Sequence, residues 1–226
     1  MQGIYWQFQY NWNVGDPCLN LWYGVTCNIE HQVIGLHFFE NYLNGYLDCN
    51  TFKNLKHLKF INIFNDGRIF EKKEMFYINS LWYLEQECFY NLTNLEELNL
   101  QNLNMVGYIT DDFIRNLKKL RHLDLSFNDL NGTIPQGDHW ANLKDLRMLS
   151  LNDNRFSGKT PAIWESPTCF KNLEYISVKN NHMGDNKYGM PILNGAQNLQ
   201  AIDLSNNMFN GSYPMPYFSK DGFHHL

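Results

Sequence analysis

The chain has 226 residues, a formal net charge of -5 and a hydrophobic content of 44%. That apolar content supports a long continuous core, while the acidic balance and the singly scattered lysines and arginines leave no footprint for a nucleic-acid partner. No run of 18 or more apolar residues occurs, so no membrane span is expected within the chain.

In chain order, the opening MQGIYWQFQY has neither a basic stretch nor an uninterrupted apolar run, so it does not read as a secretory signal. Residues 12–28 (WNVGDPCLNLWYGVTCN) then place Cys18 and Cys27 among aromatic and turn-forming residues. From residue 33 to 214 one phrase, LxxLxLxxNxLxGxIP, recurs intact or degraded. Val33 to Leu47 is nearly regular and carries Asn41, whereas Leu55 to Ile69 is weaker, with Ile63 at the asparagine position. The run from 71 to 90 fits no copy and is either an insertion or one eroded unit. Leu95 to Ile109 keeps Gly107 but has Leu103 for asparagine. Leu120 to Pro135 and Leu146 to Pro161 are clear copies that start 26 residues apart. Leu173 to Lys187 keeps Asn181 without the GxIP ending, and Leu199 to Pro214 is clear again.

A repeat of this length implies stacked units that each contact only their neighbours. Within LxxLxLxxN the leucines alternate with period two, so they point inward from a short strand while the residues between them point out. Successive strands pair in parallel. The asparagine follows the strand, where its amide satisfies backbone groups left unpaired by the turning chain. Gly and Pro punctuate the return path.

These seven copies resemble the plant-type leucine-rich repeat family, and residues 12–28 resemble the amino-terminal cap of its extracellular members. Two extra residues, Leu19 and Asn20, depart from the usual cap spacing. The resemblance implies an α/β repeat fold: a curved right-handed solenoid with a parallel sheet on its concave face, a cap over 1–32 and repeats over 33–226, truncated at the C-terminus. It implies a Cys18–Cys27 disulfide, which suits an oxidising compartment. Cys49 and Cys88 flank the irregular region and pair if it folds back on the first unit. Cys169 is then a buried thiol or a partner for something outside the chain. The sequons Asn91-Leu92-Thr93, Asn131-Gly132-Thr133 and Asn210-Gly211-Ser212 point the same way. The last two share one repeat-equivalent position on the return side.

Binding is expected on the outward strand positions, because a curved stack makes an extended surface rather than a deep pocket. The first units offer His37, Phe39, Lys59 and Ile61; the later ones offer Asp124, Phe127, Asn152, Tyr175 and Lys179. Catalysis is not expected. His122, Asp124 and Ser126 alternate along one strand at about 7 Å, beyond nucleophile–base contact of about 2.6–3.2 Å. Asp124 and Asp203 stand three strands, about 14 Å, apart, too far for a glycosidase pair. No cofactor motif occurs, and His224 and His225 lack a cysteine or acid at metal-ligand spacing.

The resemblance therefore implies a non-catalytic extracellular or cell-surface recognition domain for a peptide or protein ligand, with a co-receptor as a further partner. Any signal or anchor would lie outside the chain. Such a domain belongs to a receptor-like protein or receptor-like kinase; a secreted enzyme inhibitor and a ligand-free structural repeat are the alternatives. The irregular outward ladder argues against an ice-binding array.

Overall fold

The computed structural model describes residues 15–39, 52, 54–64, 82–184 and 193–210. The cap strand β1 (Val25–Cys27) runs antiparallel to β2 (Val33–Phe39), and everything after it stacks in parallel. The main sheet continues through β3 (Phe60–Phe64), β5 (Glu97–Asn99), β7 (His122–Asp124), β9 (Met148–Ser150), β11 (Tyr175–Ser177) and β13 (Ala201–Asp203). A second parallel sheet lies on the flank, in the order β12 (His182–Met183), β10 (Arg155–Gly158), β8 (Asp129–Thr133), β6 (Met105–Gly107) and β4 (Trp82–Tyr83). The result is a curved solenoid with the main sheet on its inner side.

Alternation explains the core. Leu98, Leu123, Leu149, Ile176 and Ile202 stand in register at the centre of successive strands, and all are buried. Away from the sheet, the helix Asp111–Asn116 and three 3-10 turns fill the opposite side. Thr110 caps the helix by accepting from Phe113 N at 3.2 Å, which satisfies one of its orphan amides. Below the turns Trp140 and Trp164 meet edge to face at 5.4 Å, and Phe170 lies 5.4 Å from Trp164.

The asparagine column supplies the hydrogen bonds that side-chain packing cannot. Asn128, Asn154, Asn181 and Asn207 each follow a strand, and each serves two adjoining units. Asn154 is 6% exposed; its Nδ2 donates to Leu125 O at 2.9 Å and Leu151 O at 3.2 Å, while its Oδ1 accepts from Leu130 N at 3.0 Å. A second column stands on the outside, where Asn94, Asn172 and Asn198 donate to Lys56, Lys144 and Lys171 carbonyls of the preceding unit, each at 2.9 Å.

The cap is closed by the Cys18–Cys27 disulfide, with Cα atoms 5.7 Å apart. The Asp16 carboxylate accepts from the Leu19 and Cys18 amides, which hold its pKa below the usual range and fix the turn of the Asp-Pro-Cys segment. Cys88 is disulfide-bonded; Cys49, the partner expected for it, lies outside the described residues. Cys169 is a free, fully buried thiol whose pKa burial pushes up to about 12.

One register differs from expectation. The second unit satisfies LxxLxL twice, from Leu55 and from Leu58. Backbone pairing selects the second reading: Ile61 lies opposite Leu36 and Leu98, and Asn62 opposite His37 and Asn99. Ile61 is therefore a core residue with no exposure, not an outward one. β3 pairs directly with β5.

Candidate functional site

The concave face is a set of rows, each formed by one residue per strand at spacings of about 4.8 Å. At the edge, before the strands begin, stand Lys59, Glu96, Arg121, Arg147 and Glu174. Lys59 pairs with Glu96 at 3.2 Å and Arg147 with Glu174 at 2.8 Å. Lys59 thus belongs to this charged margin and not to the position of His37 assigned from sequence. Such exposed pairs orient neighbours more than they stabilise, at about 0–1 kcal/mol each.

The first row on the strands holds Phe60, Glu97, His122, Met148, Tyr175 and Ala201 in register. All are half-buried. The second holds His37, Asn62, Asn99, Asp124, Ser150, Ser177 and Asp203. His37 lies 3.3 Å from the Asn62 amide and 6.4 Å from the Phe60 ring centroid. Ser150 and Ser177 are buried at 3% and 1%, so flanking rows shade the middle of the strip. Asn152 and Lys179 come next; Lys179 reaches Asp203 at 3.6 Å. The side chain of Phe39 lies outside the described residues.

Beyond the strands runs a row in left-handed backbone conformation: Asn102, Phe127, Asp153, Asn180 and Asn206, with φ between 52° and 57°. Asn and Asp tolerate this region, and their side chains link from unit to unit. Asn206 donates to Asn180 at 2.6 Å, and Asn180 to Asp153 at 2.6 Å. Asn152 joins the same chain through Asp153 at 2.7 Å, and Ser150 through Asn152 at 2.5 Å. Phe127 breaks the row. It has φ 56° and remains 47% exposed, a bulky ring in a conformation costly for it.

Asp124 and Ser126 are in contact, contrary to the strand-spacing argument: Ser126 Oγ donates to Asp124 Oδ1 at 2.5 Å and Ser126 N at 2.9 Å. The strand ends at Asp124, and the turning chain brings the next side chain back. His122 does not join them; its ionic neighbour is Glu97, at 4.0 Å.

Burial raises the pKa of Asp124, against hydrogen bonds from Ser126 and Ser150. For Asp203 burial is again the largest influence and acts upward, but Ser205 and Lys179 together outweigh it and hold its pKa low. The folded chain binds a proton more tightly at Asp124 than the unfolded chain does. That contribution favours folding in acid and is lost as pH rises through the folded-state value. Asp203 has the opposite sign: its contribution is present at neutral pH and disappears as pH falls below the usual Asp range of about 3.9. Asp124→Asn is therefore expected to raise the thermal midpoint at pH 7, and Asp203→Asn to lower it, with both approaching wild type in acid. Midpoints between pH 3 and pH 7 check the two signs.

Asn91, Asn131 and Asn210 are all exposed, with Asn131 on β8 of the flank sheet. Among the described residues no helix is long and apolar enough to cross a membrane.

One short strand per unit, pairing in parallel above a buried asparagine column, defines a leucine-rich repeat solenoid. The leucine-rich repeat pattern matches residues 78–130. Receptor-like protein 41 of Arabidopsis thaliana is 30% identical over 212 residues, which cover 86% of this chain and 23% of that protein. Receptor-like protein kinase BRI1-like 3, from the same plant, is 30% identical over 180 residues, covering 77% of this chain and 14% of its own length. The chain thus spans less than a quarter of either relative. Among solved structures, pollen receptor kinase 3 matches with a TM-score of 0.69 at 25% identity, over 90% of this chain and 88% of that one. A plant ice-binding protein matches with a TM-score of 0.59 at 19% identity, over 89% and 66%, a likeness of fold alone. The chain belongs to the plant leucine-rich repeat family, in the extracellular form that opens with a disulfide-closed cap.

Proposed function

We propose that this domain is a non-catalytic extracellular recognition module of a receptor-like protein or kinase, binding an extended peptide or a protein segment along the concave sheet. The observation that carries this reading is Phe127. It places an exposed ring where the equivalent residues are Asn or Asp, beside a hydrogen-bonded polar row. Met148 and Tyr175 add apolar and aromatic area in the first strand row, at the other margin of the strip. Aromatic anchors of this kind supply buried area, and the surrounding amides and charges supply orientation. A strip of seven strands is about 29 Å long, enough for about eight extended residues. A related fold in the plant peptide hormone receptor RGFR1 was solved in complex with RGF2, at 26% identity and a TM-score of 0.63. A co-receptor is the second class of partner.

Selection from a displayed random-peptide library tests the reading. Recovered peptides are expected to compete with one another, and Tyr175→Ala to weaken them about tenfold or more, equivalent to about 1.4 kcal/mol. Unchanged affinity in a folded Tyr175→Ala variant would remove that residue from the site.

A further inference from the structure

The outer face of the flank sheet is not uniformly polar. Tyr83 on β4 is 72% exposed and Tyr108, immediately after β6, is 60% exposed. The core beneath them is already closed by Leu84, Met105 and Leu130. The pairing of β6 with β8 ends at Gly107 opposite Leu130, and Tyr108 is the next residue of the chain. A Cβ placed on Gly132 would come 3.4 Å from Tyr108 Cβ, which puts the tyrosine against the Asn131-Gly132 segment. On its other side Asn131 pairs with Arg155, which is held by an ion pair with Asp129. Asn131 and Thr133, the two recognition positions of the acceptor triplet, are both exposed.

The geometry points to an N-linked glycan on Asn131 whose first N-acetylglucosamine residues lie on the Tyr108 ring, with Tyr83 extending the platform. A pyranose has an apolar C–H face and a hydroxylated edge. Laid flat on an aromatic ring, it removes both apolar surfaces from water and keeps its hydroxyls solvated. Arg155 offers N–H donors to an acetamido or hydroxyl oxygen from the neighbouring strand. The carbohydrate then covers the exposed rings of the flank and leaves the concave strip open. This inference shares with the proposed function only the secretory route; it does not depend on any ligand of the concave face.

The chain, expressed behind a secretory leader in a glycosylating host, would be compared with Asn131→Gln, Tyr108→Ala and the double variant. Intact mass should fall by one glycan on Asn131→Gln. That substitution should lower the thermal midpoint by about 2 °C or more in the Tyr108 background, and by less than half as much beside Tyr108→Ala. In the wild-type protein, NMR should show the proximal acetyl methyl shifted upfield by the ring. Tyr108→Leu, which keeps bulk but removes the ring, should abolish that shift and replaces the alanine variant if the latter fails to fold. An unchanged mass on Asn131→Gln, with the other sequons occupied, would overturn the assignment while leaving the secretory reading intact. No glycan at any sequon would count against both. A glycan present with equal midpoint losses in both backgrounds and an unshifted acetyl signal would overturn the stacking.

Discussion

Asn154→Ala is expected to destabilise the solenoid by about 2–4 kcal/mol, the largest effect of any single polar substitution considered. The side chain is buried and satisfies the Leu125 and Leu151 carbonyls and the Leu130 amide. Alanine leaves the Leu130 amide without its partner inside the core, at a cost of about 1–3 kcal/mol, and adds a small cavity; the Leu125 and Leu151 carbonyls each lose one of two amide donors, keeping those of Asn128 and Asn181. For a domain of this size the midpoint should fall by roughly 4–16 °C. Asn172→Ala provides the control. It removes one bond, to Lys144 O, from an exposed residue, so water replaces the amide and the loss stays at about 1 kcal/mol or less. Chemical denaturation of the two variants checks the contrast. Equal losses would mean that the inner column does not hold successive units together.

Phe127→Asn is expected to separate stability from recognition. The ring occupies a left-handed position that costs a bulky residue about 1–2 kcal/mol, while asparagine is at home there, as at Asn102 and Asn180. Because the ring is 47% exposed, the packing lost offsets only part of that relief, and the variant should be as stable as wild type or more stable by up to about 1 kcal/mol. Affinity for a concave-face peptide should fall roughly 30-fold, about 2 kcal/mol, as for a truncated hot spot. Denaturation midpoints and peptide titrations, run on the same preparations, check both halves. A destabilised variant with undiminished affinity would make Phe127 a packing residue.

Much of the architecture was legible because the repeat imposes it atom by atom. The leucines of LRHLDL and LRMLSL enforce the inward period, and Asn154 and Asn181 occupy places that only a side-chain amide fills in this way. The register of the second unit was not legible, because Leu55 and Leu58 both begin an acceptable phrase; the 25-residue step from Leu36 to Ile61 was the available cue. The outer asparagine column was also missed, although an Asn-Leu pair recurs at Asn94, Asn172 and Asn198. Met148 and Glu97, in the row of Tyr175, were not legible as site residues because the repeat phrase does not show that the later outward positions, such as Ser150 and Ser177, are buried. The left-handed conformation of Phe127 is hidden in sequence, since an aromatic residue carries no signal for it. Alignment with Asn102, Asp153 and Asn180 reveals it. The Asp124–Ser126 contact depends on where the strand stops, which a regular spacing rule cannot supply.

Hydroxyl-radical footprinting of the chain with and without a selected peptide tests the assignment of recognition to the concave face most directly, because reactive side chains mark both surfaces. Phe127, Met148 and Tyr175 report on the inner strip, and Tyr83 and Tyr108 on the flank. The account predicts protection of Phe127, Met148 and Tyr175 on binding, with Tyr83 and Tyr108 unchanged. Protection of Tyr83 and Tyr108 with the inner residues unaltered would contradict it.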